Sequence, residues 1–140
     1  MRDIAYIALG SNLGDREEYL ERARSALAAL PGTRLLRASS VEETAPVGDV
    51  PQGPYLNQMV AIETDLAPRE LLERLHEIER SAGRVRGVRW GPRTLDLDIV
   101  MFDRQTVNEP DLLVPHPEIP NRDFWQRELA ELRGRGGYSE

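Results

Sequence analysis

Along this 140-residue chain, segments with apolar residues at every second position alternate with segments where they recur every three to four positions. The first pattern is typical of strands and the second of helices, and their order constrains the fold most strongly. The segment "IAYIALGSNLGDREEYLERARSALAALPG" is typical of a strand, a glycine-containing loop and a helix. Asp15 would begin this helix, with Glu18 at the capping-box spacing, and Pro31-Gly32 would end it. The apolar stripe of the helix consists of Leu20, Ala23, Leu27 and Leu30. "GSNLG" matches neither a dinucleotide-binding motif nor a P-loop, so a tight turn is sufficient to explain it.

The middle of the chain continues with three further strands and a second helix. We expect a second strand within "TRLLRASSVEET", a long loop at "APVGDVPQGP" and a third strand at "YLNQMVAIETD". A second helix, "PRELLERLHEIERSAG", would begin with Pro68 and end at Gly83, before a fourth strand at "RTLDLDIVMF". This order is the split βαβ pattern of a ferredoxin-like α+β sandwich, a mainly antiparallel sheet with helices packed on one face.

The last third of the chain adds smaller elements. "QTVNEPDLLVP" predicts an extra short hairpin, and a last helix is expected from Phe124 to Leu132. The length suits one hydrophobic core, so we expect a single domain over residues 1–140, with a frayed tail from about residue 133.

Two aspartates share one face of the fourth strand. Alternation places Asp96 and Asp98 side by side, about 6 to 7 Å apart. Their repulsion would be roughly 2 to 3 kcal/mol at an effective dielectric near 20, and aspartate is disfavoured in strands. The pair indicates either a solvated face or a site for hard cations such as Mg²⁺, including the two-ion arrangement of phosphoryl transfer.

Arginines are concentrated just before this strand, and every one of the 18 basic residues of the chain is an arginine. A guanidinium group can donate two parallel hydrogen bonds to two oxygens of one phosphate, so the segment is typical of a polyphosphate site. An exposed loop with solvated arginines would explain the segment too. The arginines of this segment are Arg84, Arg86, Arg89 and Arg93. Tyr55 and Asn57 share a face of the third strand and suit either a planar heterocycle or the core.

Composition excludes several classes of function. A net charge of −6 argues against a general nucleic-acid binder. The chain has no cysteine, and so no disulfide or thiolate metal site. With no signal peptide and no apolar run near 18 residues, we expect a cytoplasmic protein without a membrane partner.

Six segments, in order, carry a resemblance: "GSNLGDR", "ETAPVG", "YLNQMV", "EIERSAGRVR", "RWGPRTLDLDI" and "VPHPEIPNRDF". Together they closely resemble the 6-hydroxymethyl-7,8-dihydropterin pyrophosphokinases of folate biosynthesis, over nearly the whole chain through Phe124. The resemblance implies a transferase that moves the β,γ-diphosphate of ATP to the pterin hydroxymethyl oxygen and releases AMP. It also implies two Mg²⁺ ions, ATP and the pterin as small-molecule partners, and a monomer.

The same resemblance implies the site residues. The catalytic residues would be Arg84, Arg93, Asp96 and Asp98, with both aspartates binding metal. The ATP site would consist of Leu72, His76, Glu79, Arg86, Trp90, Arg93, Ile99, Leu113, His116 and Arg122. The pterin pocket would consist of Thr44, Ala45, Val47, Tyr55, Asn57, Trp90 and Phe124, with the pterin ring between Tyr55 and Phe124.

The chain departs from the family pattern at a few positions, and other functions stay open on the residues alone. His76 stands where some relatives have glutamine, Ala45 stands where proline is familiar, and the segment after Phe124 is short and charged. A two-metal nucleotidyltransferase or cyclase would also use paired aspartates on such a sheet, but would release pyrophosphate. A non-catalytic nucleotide-binding module would bind ATP without releasing AMP.

Overall fold

The computed structural model describes residues 2–45, 53–83 and 94–133. The strands are β1 (Asp3–Ser11), β2 (Thr33–Ala38), β3 (Glu42–Thr44), β4 (Tyr55–Thr64), β5 (Asp96–Phe102), β6 (Val107–Glu109) and β7 (Leu112–Val114). The helices are α1 (Arg16–Ala28), α2 (Pro68–Ser81) and α3 (Asp123–Arg133), and a single 3₁₀ turn spans Ile119–Asn121. Among the described helices, none is both long and apolar enough to cross a membrane.

The main sheet is antiparallel and has the strand order β2-β4-β1-β5. Both crossovers pass through a helix, α1 between β1 and β2 and α2 between β4 and β5. This is the predicted split βαβ arrangement, so the ferredoxin-like α+β fold is confirmed. The strand expected between residues 33 and 44 is in fact two, because β2 and β3 pair with successive parts of β4.

Local signals determine where the helices begin and end. The Asp15 carboxylate accepts a hydrogen bond from the Glu18 backbone N–H at 3.2 Å, which confirms the predicted start of α1. Pro68 occupies the first turn of α2, where its missing N–H has no cost. Gly83 follows α2 with φ of +82°, a left-handed conformation that favours glycine and ends a helix.

The two faces of the sheet carry two apolar clusters. α1 and α2 cover one face, where Leu20, Leu27, Leu71 and Leu75 pack against Ile7 and other strand residues. α3 covers part of the opposite face through Trp125 and Leu132. The expectation of helices on one face was therefore incomplete. The sequence after Phe124 supplies a third helix for the second face.

Several predicted positions lie outside the described residues. They are Val47 in the loop before β4, the segment with Arg84, Arg86, Trp90 and Arg93, and the expected tail beyond Arg133.

Candidate active site

Asp96 and Asp98 lie on the α3 side of the sheet, next to two small residues of β1. In the antiparallel register Asp96 pairs with Gly10, and Asp98 pairs with Ala8. Both aspartates are half-buried. Because their cross-strand neighbours have a methyl group or no side chain, the space above the carboxylates stays open.

Gly10 also joins the aspartates to the neighbouring strand on its other side. It pairs with Asn57 of β4 as well as with Asp96 of β5. Asn57, Gly10 and Asp96 therefore form one row across three strands, with Asn57 and Asp96 two strand spacings, about 10 Å, apart. A Cβ atom at Gly10 would lie 3.4 Å from both the Asn57 side-chain oxygen and a Tyr55 ring carbon, so any larger group would displace these side chains.

A first pocket, the aromatic pocket, lies over this row between β4 and the start of α3. Its lining residues are Ala8, Leu9, Gly10, Thr44, Ala45, Tyr55, Asn57, Asp96, Asp98, Arg122, Phe124 and Trp125. The Asn57 amide nitrogen donates to the Thr44 hydroxyl at 2.5 Å, which orients the carboxamide within the pocket. With ring side chains and a buried amide, the pocket suits a flat heterocycle that carries hydrogen-bonding edges.

A second pocket, the edge pocket, lies along the edge of β5 opposite β1 and is closed by α2 and the β6–β7 hairpin. Its lining residues are Leu72, His76, Glu79, Asp96, Leu97, Asp98, Ile99, Pro110, Asp111, Leu112, Leu113, His116, Pro117 and Arg122. The aromatic and edge pockets share three residues: Asp96, Asp98 and Arg122. Ligands in the two pockets would therefore meet at the carboxylate pair.

His116 is fixed in the edge pocket by its backbone and its ring. Its backbone N–H donates to the Val100 carbonyl at 2.8 Å, and its Nδ1 accepts from the Glu118 backbone N–H at 3.1 Å. Burial, and then the positive charge of Arg122, lower the pKa of His116 below its ordinary value of 6.5. The ring is therefore neutral at pH 7, and its Nε2–H remains as a donor toward a ligand.

Glu79 supports the strand that carries the aspartates. It is buried at 3% exposure, and its carboxylate accepts a hydrogen bond from the Leu97 backbone N–H at 2.8 Å. Leu97 lies between Asp96 and Asp98, so Glu79 links α2 to the backbone of the carboxylate pair.

The carboxylate pair fits a hard divalent cation. Within residues 2–45, 53–83 and 94–133, no group of three or more histidine, cysteine or acidic side chains could hold a metal by itself. Asp96 and Asp98 supply oxygen donors only, the type that Mg²⁺ prefers, and Mg²⁺ keeps several waters and takes further ligands from substrate phosphates. An incomplete protein ligand set open to both pockets is what such an ion requires.

The structure brings together all the predicted site residues that it describes. Leu72, His76, Glu79, Ile99, Leu113, His116 and Arg122 line the edge pocket, and Thr44, Ala45, Tyr55, Asn57 and Phe124 line the aromatic pocket. Val47, Arg84, Arg86, Trp90 and Arg93 lie outside the described residues. Ala8, Gly10 and Trp125 are among the lining residues that were not predicted as site residues. Only Gly10 gave a signal, as a glycine at the end of a strand, a position that often marks a close approach.

Comparison with known proteins agrees with this geometry. The family model described as 7,8-dihydro-6-hydroxymethylpterin-pyrophosphokinase matches residues 6–134. The chain is similar to the 2-amino-4-hydroxy-6-hydroxymethyldihydropteridine pyrophosphokinase of Bacillus subtilis, at 49% identity over 132 residues, which covers 94% of this chain and 79% of that protein. Proteins of the same name from Pseudomonas aeruginosa and Haemophilus influenzae are 45% and 44% identical, and each match covers 91% of this chain. These two matches cover 78% and 80% of the relatives.

Proposed function

The chain belongs to the 7,8-dihydro-6-hydroxymethylpterin-pyrophosphokinase family, and from this premise we propose which residues carry out its reaction. The protein is a pyrophosphokinase that transfers the pyrophosphoryl group of ATP to hydroxymethyldihydropterin in folate biosynthesis. Since the β- and γ-phosphoryl groups leave ATP together, the second product is AMP. The family assignment therefore favours diphosphate transfer over the two alternatives, a nucleotidyltransferase or cyclase and a non-catalytic nucleotide-binding module.

The proposed site follows from one observation, the wall of Asp96, Asp98 and Arg122 that the two pockets share. We place the pterin in the aromatic pocket, between Tyr55 and Phe124, and ATP in the edge pocket. The hydroxymethyl oxygen and the β-phosphorus then meet at the shared wall. Holding two reactants in such an orientation removes a large part of the entropic barrier to their reaction.

The pterin side of the site is proposed to recognise the heterocycle by its edge and its faces. Thr44 fixes the Asn57 carboxamide, which can both donate to and accept from a pterin ring. Thr44, Ala45 and Val47 would form one side of the pocket, with Val47 and Trp90 contributed by segments outside the described residues.

The ATP side is proposed to combine an apolar wall with phosphate contacts. Leu72, Ile99 and Leu113 supply apolar surface for the adenine, with His76 and Glu79 beside them. His116 offers an Nε2–H donor, and Arg122 a guanidinium at the shared wall. From the resemblance we add Arg84, Arg86, Trp90 and Arg93, which lie outside the described residues. Arg84 and Arg93 would act on the transferring phosphates as catalytic residues.

Asp96 and Asp98 are proposed to hold two Mg²⁺ ions. Bound there, the ions would neutralise phosphate charge in the transition state. In the reaction, the hydroxymethyl oxygen forms a bond to the β-phosphorus while the bond from that phosphorus to the α,β-bridging oxygen breaks. AMP departs as a phosphate anion that is already stable, so its departure does not need a strong general acid. The hydroxyl proton is lost to solvent or buffer, and we assign no side chain as its base.

We also propose that residues 1–140 form one domain that acts as a monomer, because a single chain lines both pockets. Size-exclusion chromatography with light scattering tests this. If the protein is a dimer that keeps its specific activity when it dissociates, the proposed site stands. The proposal that the protein is a monomer would then be wrong.

Product analysis tests the function itself. The purified protein is incubated with Mg²⁺ and ATP, with and without 6-hydroxymethyl-7,8-dihydropterin, and the nucleotides are separated. We expect AMP and pterin diphosphate in equal amounts, and AMP formation only when the pterin is present. Release of pyrophosphate would indicate nucleotidyl transfer instead. ATP binding without AMP formation would indicate a binding module.

A further inference from the structure

Trp125 is buried where the two pockets come together. It lies in the first turn of α3 and is 2% exposed. It belongs to the apolar cluster on the α3 side of the sheet, with Tyr6, Ala8, Met59 and Val100. The indole is therefore held by the core of the protein, while part of it lines the aromatic pocket.

Proposed substrate-binding residues from both pockets contact this one indole. The Arg122 guanidinium carbon lies 4.4 Å from the centroid of the Trp125 ring. The His116 ring meets the indole edge-on, at 4.9 Å between centroids and 88° between planes. The Phe124 ring is farther away, at 6.4 Å and 67°. The two residues assigned to the ATP site, Arg122 and His116, thus make the close contacts.

The backbone of Arg122 is held by hydrogen bonds to Ile119, Trp125 and Gln126. For its guanidinium, the contact that the described residues provide is the face of the Trp125 ring. A guanidinium over an indole face is attracted by the negative face of the ring, and tryptophan gives the strongest attraction of this kind. An arginine fixed in this way keeps its five donors free for phosphate oxygens.

We propose that Trp125 is a positioning residue that orients Arg122 and His116 for ATP. This inference rests on the proposed ATP site in the edge pocket. The indole anchors the guanidinium by its face and the imidazole by an edge contact, so both groups are already in place when the nucleotide arrives. A residue that only filled the core would contribute to stability but not to the affinity for one particular substrate.

Two substitutions at Trp125 separate these roles. Trp125→Leu keeps an apolar side chain but removes the aromatic ring. Trp125→Phe keeps an aromatic ring with a smaller π face. We expect Trp125→Leu to raise KM for ATP by about three- to thirtyfold, and Trp125→Phe to restore most of the loss. KM for the pterin should rise less than KM for ATP, because leucine keeps an apolar wall where the indole lines the aromatic pocket. Equal increases in the two KM values, or no increase in either, would overturn the proposal.

Leu132→Val is the matched control, because Leu132 lies in the same helix and the same apolar cluster but lines neither pocket. It should lower the melting temperature while leaving both KM values within about twofold of the wild type. If it raises KM for ATP as Trp125→Leu does, general loosening of α3 explains the effect and the proposal fails.

A double-substitution cycle with Arg122→Met distinguishes failure of this inference from failure of the proposed site. If Arg122→Met alone leaves KM for ATP unchanged, Arg122 does not bind the nucleotide and the proposed site is wrong. If Arg122→Met raises KM, Trp125→Leu should add little in that background, because both changes remove one shared interaction. Fully additive effects would overturn the positioning role. Should Trp125→Leu not fold, the same cycle is run with Trp125→Met, which also lacks a π face but fills more of the space of the indole.

Discussion

At the scale of single residues, the carboxylate pair is defined as much by its neighbours as by its own charge. In β1, Ala8 pairs with Asp98 and Gly10 pairs with Asp96 of β5. No large side chain of β1 therefore covers the two carboxylates. Two like charges on one strand face repel each other by about 2 to 3 kcal/mol at an effective dielectric near 20. A divalent cation between them would turn this repulsion into attraction.

Removing either carboxylate should therefore affect turnover more than folding. We expect Asp96→Ala or Asp98→Ala to lower kcat by at least about a hundredfold through lost metal positioning, with no loss of thermal stability. Steady-state kinetics at saturating Mg²⁺ and circular dichroism measure the two effects. Asp103→Ala is the control, since this exposed aspartate follows the same strand and lines neither pocket. Near wild-type kcat in either site variant would rule out the assignment.

Glu128 of α3 is a buried acid that lines neither pocket. It is 2% exposed, and within the described part of the chain no N–H or hydroxyl group donates to its carboxyl oxygens, although a protonated Glu128 can itself donate to the nearby carboxylate of Glu42. Burial, and then the neighbouring carboxylate of Glu42, raise the pKa of Glu128 to about 8; Glu131 also raises it, and Arg127 opposes the shift. The folded protein therefore keeps a proton on Glu128 that the unfolded chain releases near its ordinary pKa of 4.5.

Stability should consequently fall as pH rises from about 4.5 to about 8, because the unfolded state loses its proton first. Glu128→Gln imitates the protonated form and should remove this dependence. We expect it to increase the free energy of unfolding by about 1 to 3 kcal/mol at pH 8, and by much less at pH 5. Urea unfolding at both pH values measures this, with the exposed Glu77→Gln as control. An equal effect at both pH values would show that Glu128 is not protonated in the folded state.

At the scale of elements, the β6–β7 hairpin is held against α2 by one arginine. Arg69 donates to the two carboxylate oxygens of Asp111 at 2.8 and 2.9 Å, and also pairs with Glu109. Asp111, with Pro110, Leu112 and Leu113, forms one wall of the edge pocket. A two-oxygen contact to arginine fixes direction as well as distance, so Arg69 controls where that wall lies.

Loss of this link should affect one substrate more than the other. We expect Arg69→Ala to raise KM for ATP by about two- to fivefold and to leave KM for the pterin unchanged, with a smaller effect at high salt. Arg74→Ala is the matched control on the same helix, where Arg74 pairs with Glu77 of its own helix at 3.6 Å. A change in KM for the pterin as large as that for ATP would mean that the hairpin does not act through the edge pocket.

Elements were predictable where their signal is local. The Asp15 cap, Pro68, Gly83 and the change of apolar period set the described helices and most strands within a few residues. Alternation alone also put Tyr55 beside Asn57, and Asp96 beside Asp98, on the correct faces. It could not assign α3 to the second face of the sheet, because which face a helix covers depends on the path of the chain in space.

Contacts between distant positions were not predictable from the residues alone. Gly10 between Asn57 and Asp96, Glu79 on the backbone of Leu97, and Arg122 on Trp125 each follow from strand register or helix docking. Membership of the two pockets came from the resemblance to a family, since periodicity indicates which face a residue occupies but not its ligand.

At the scale of the whole molecule, one sheet carries both pockets. β4 contributes Tyr55 and Asn57, β5 contributes Asp96 and Asp98, and β1 lies between them with its small residues. The sheet itself would thus align the two substrates. Because the carboxylate pair belongs to the main sheet, a metal ion and a nucleotide bound there would also stabilise the folded protein.

This link predicts that Mg²⁺ and nucleotide stabilise the protein together. An ATP analogue with a methylene group between the α- and β-phosphorus cannot transfer diphosphate, so binding is measured without turnover. At about one hundred times its dissociation constant, with Mg²⁺, it should stabilise the fold by about 2.7 kcal/mol and raise Tm by roughly 5 to 10 °C. Excess EDTA should abolish most of this increase, because the phosphates would then face the two carboxylates with no metal ion between them.

The aspartate variants show whether the metal acts at the proposed position. In Asp96→Ala or Asp98→Ala, Tm with the analogue should depend much less on Mg²⁺, while Asp103→Ala should behave like the wild type. An increase in Tm that is the same with Mg²⁺ and with EDTA would mean that the nucleotide binds without metal at this wall. If Mg²⁺ dependence persists in both site variants, the ions are held elsewhere, and Asp96 and Asp98 must act on the substrates directly.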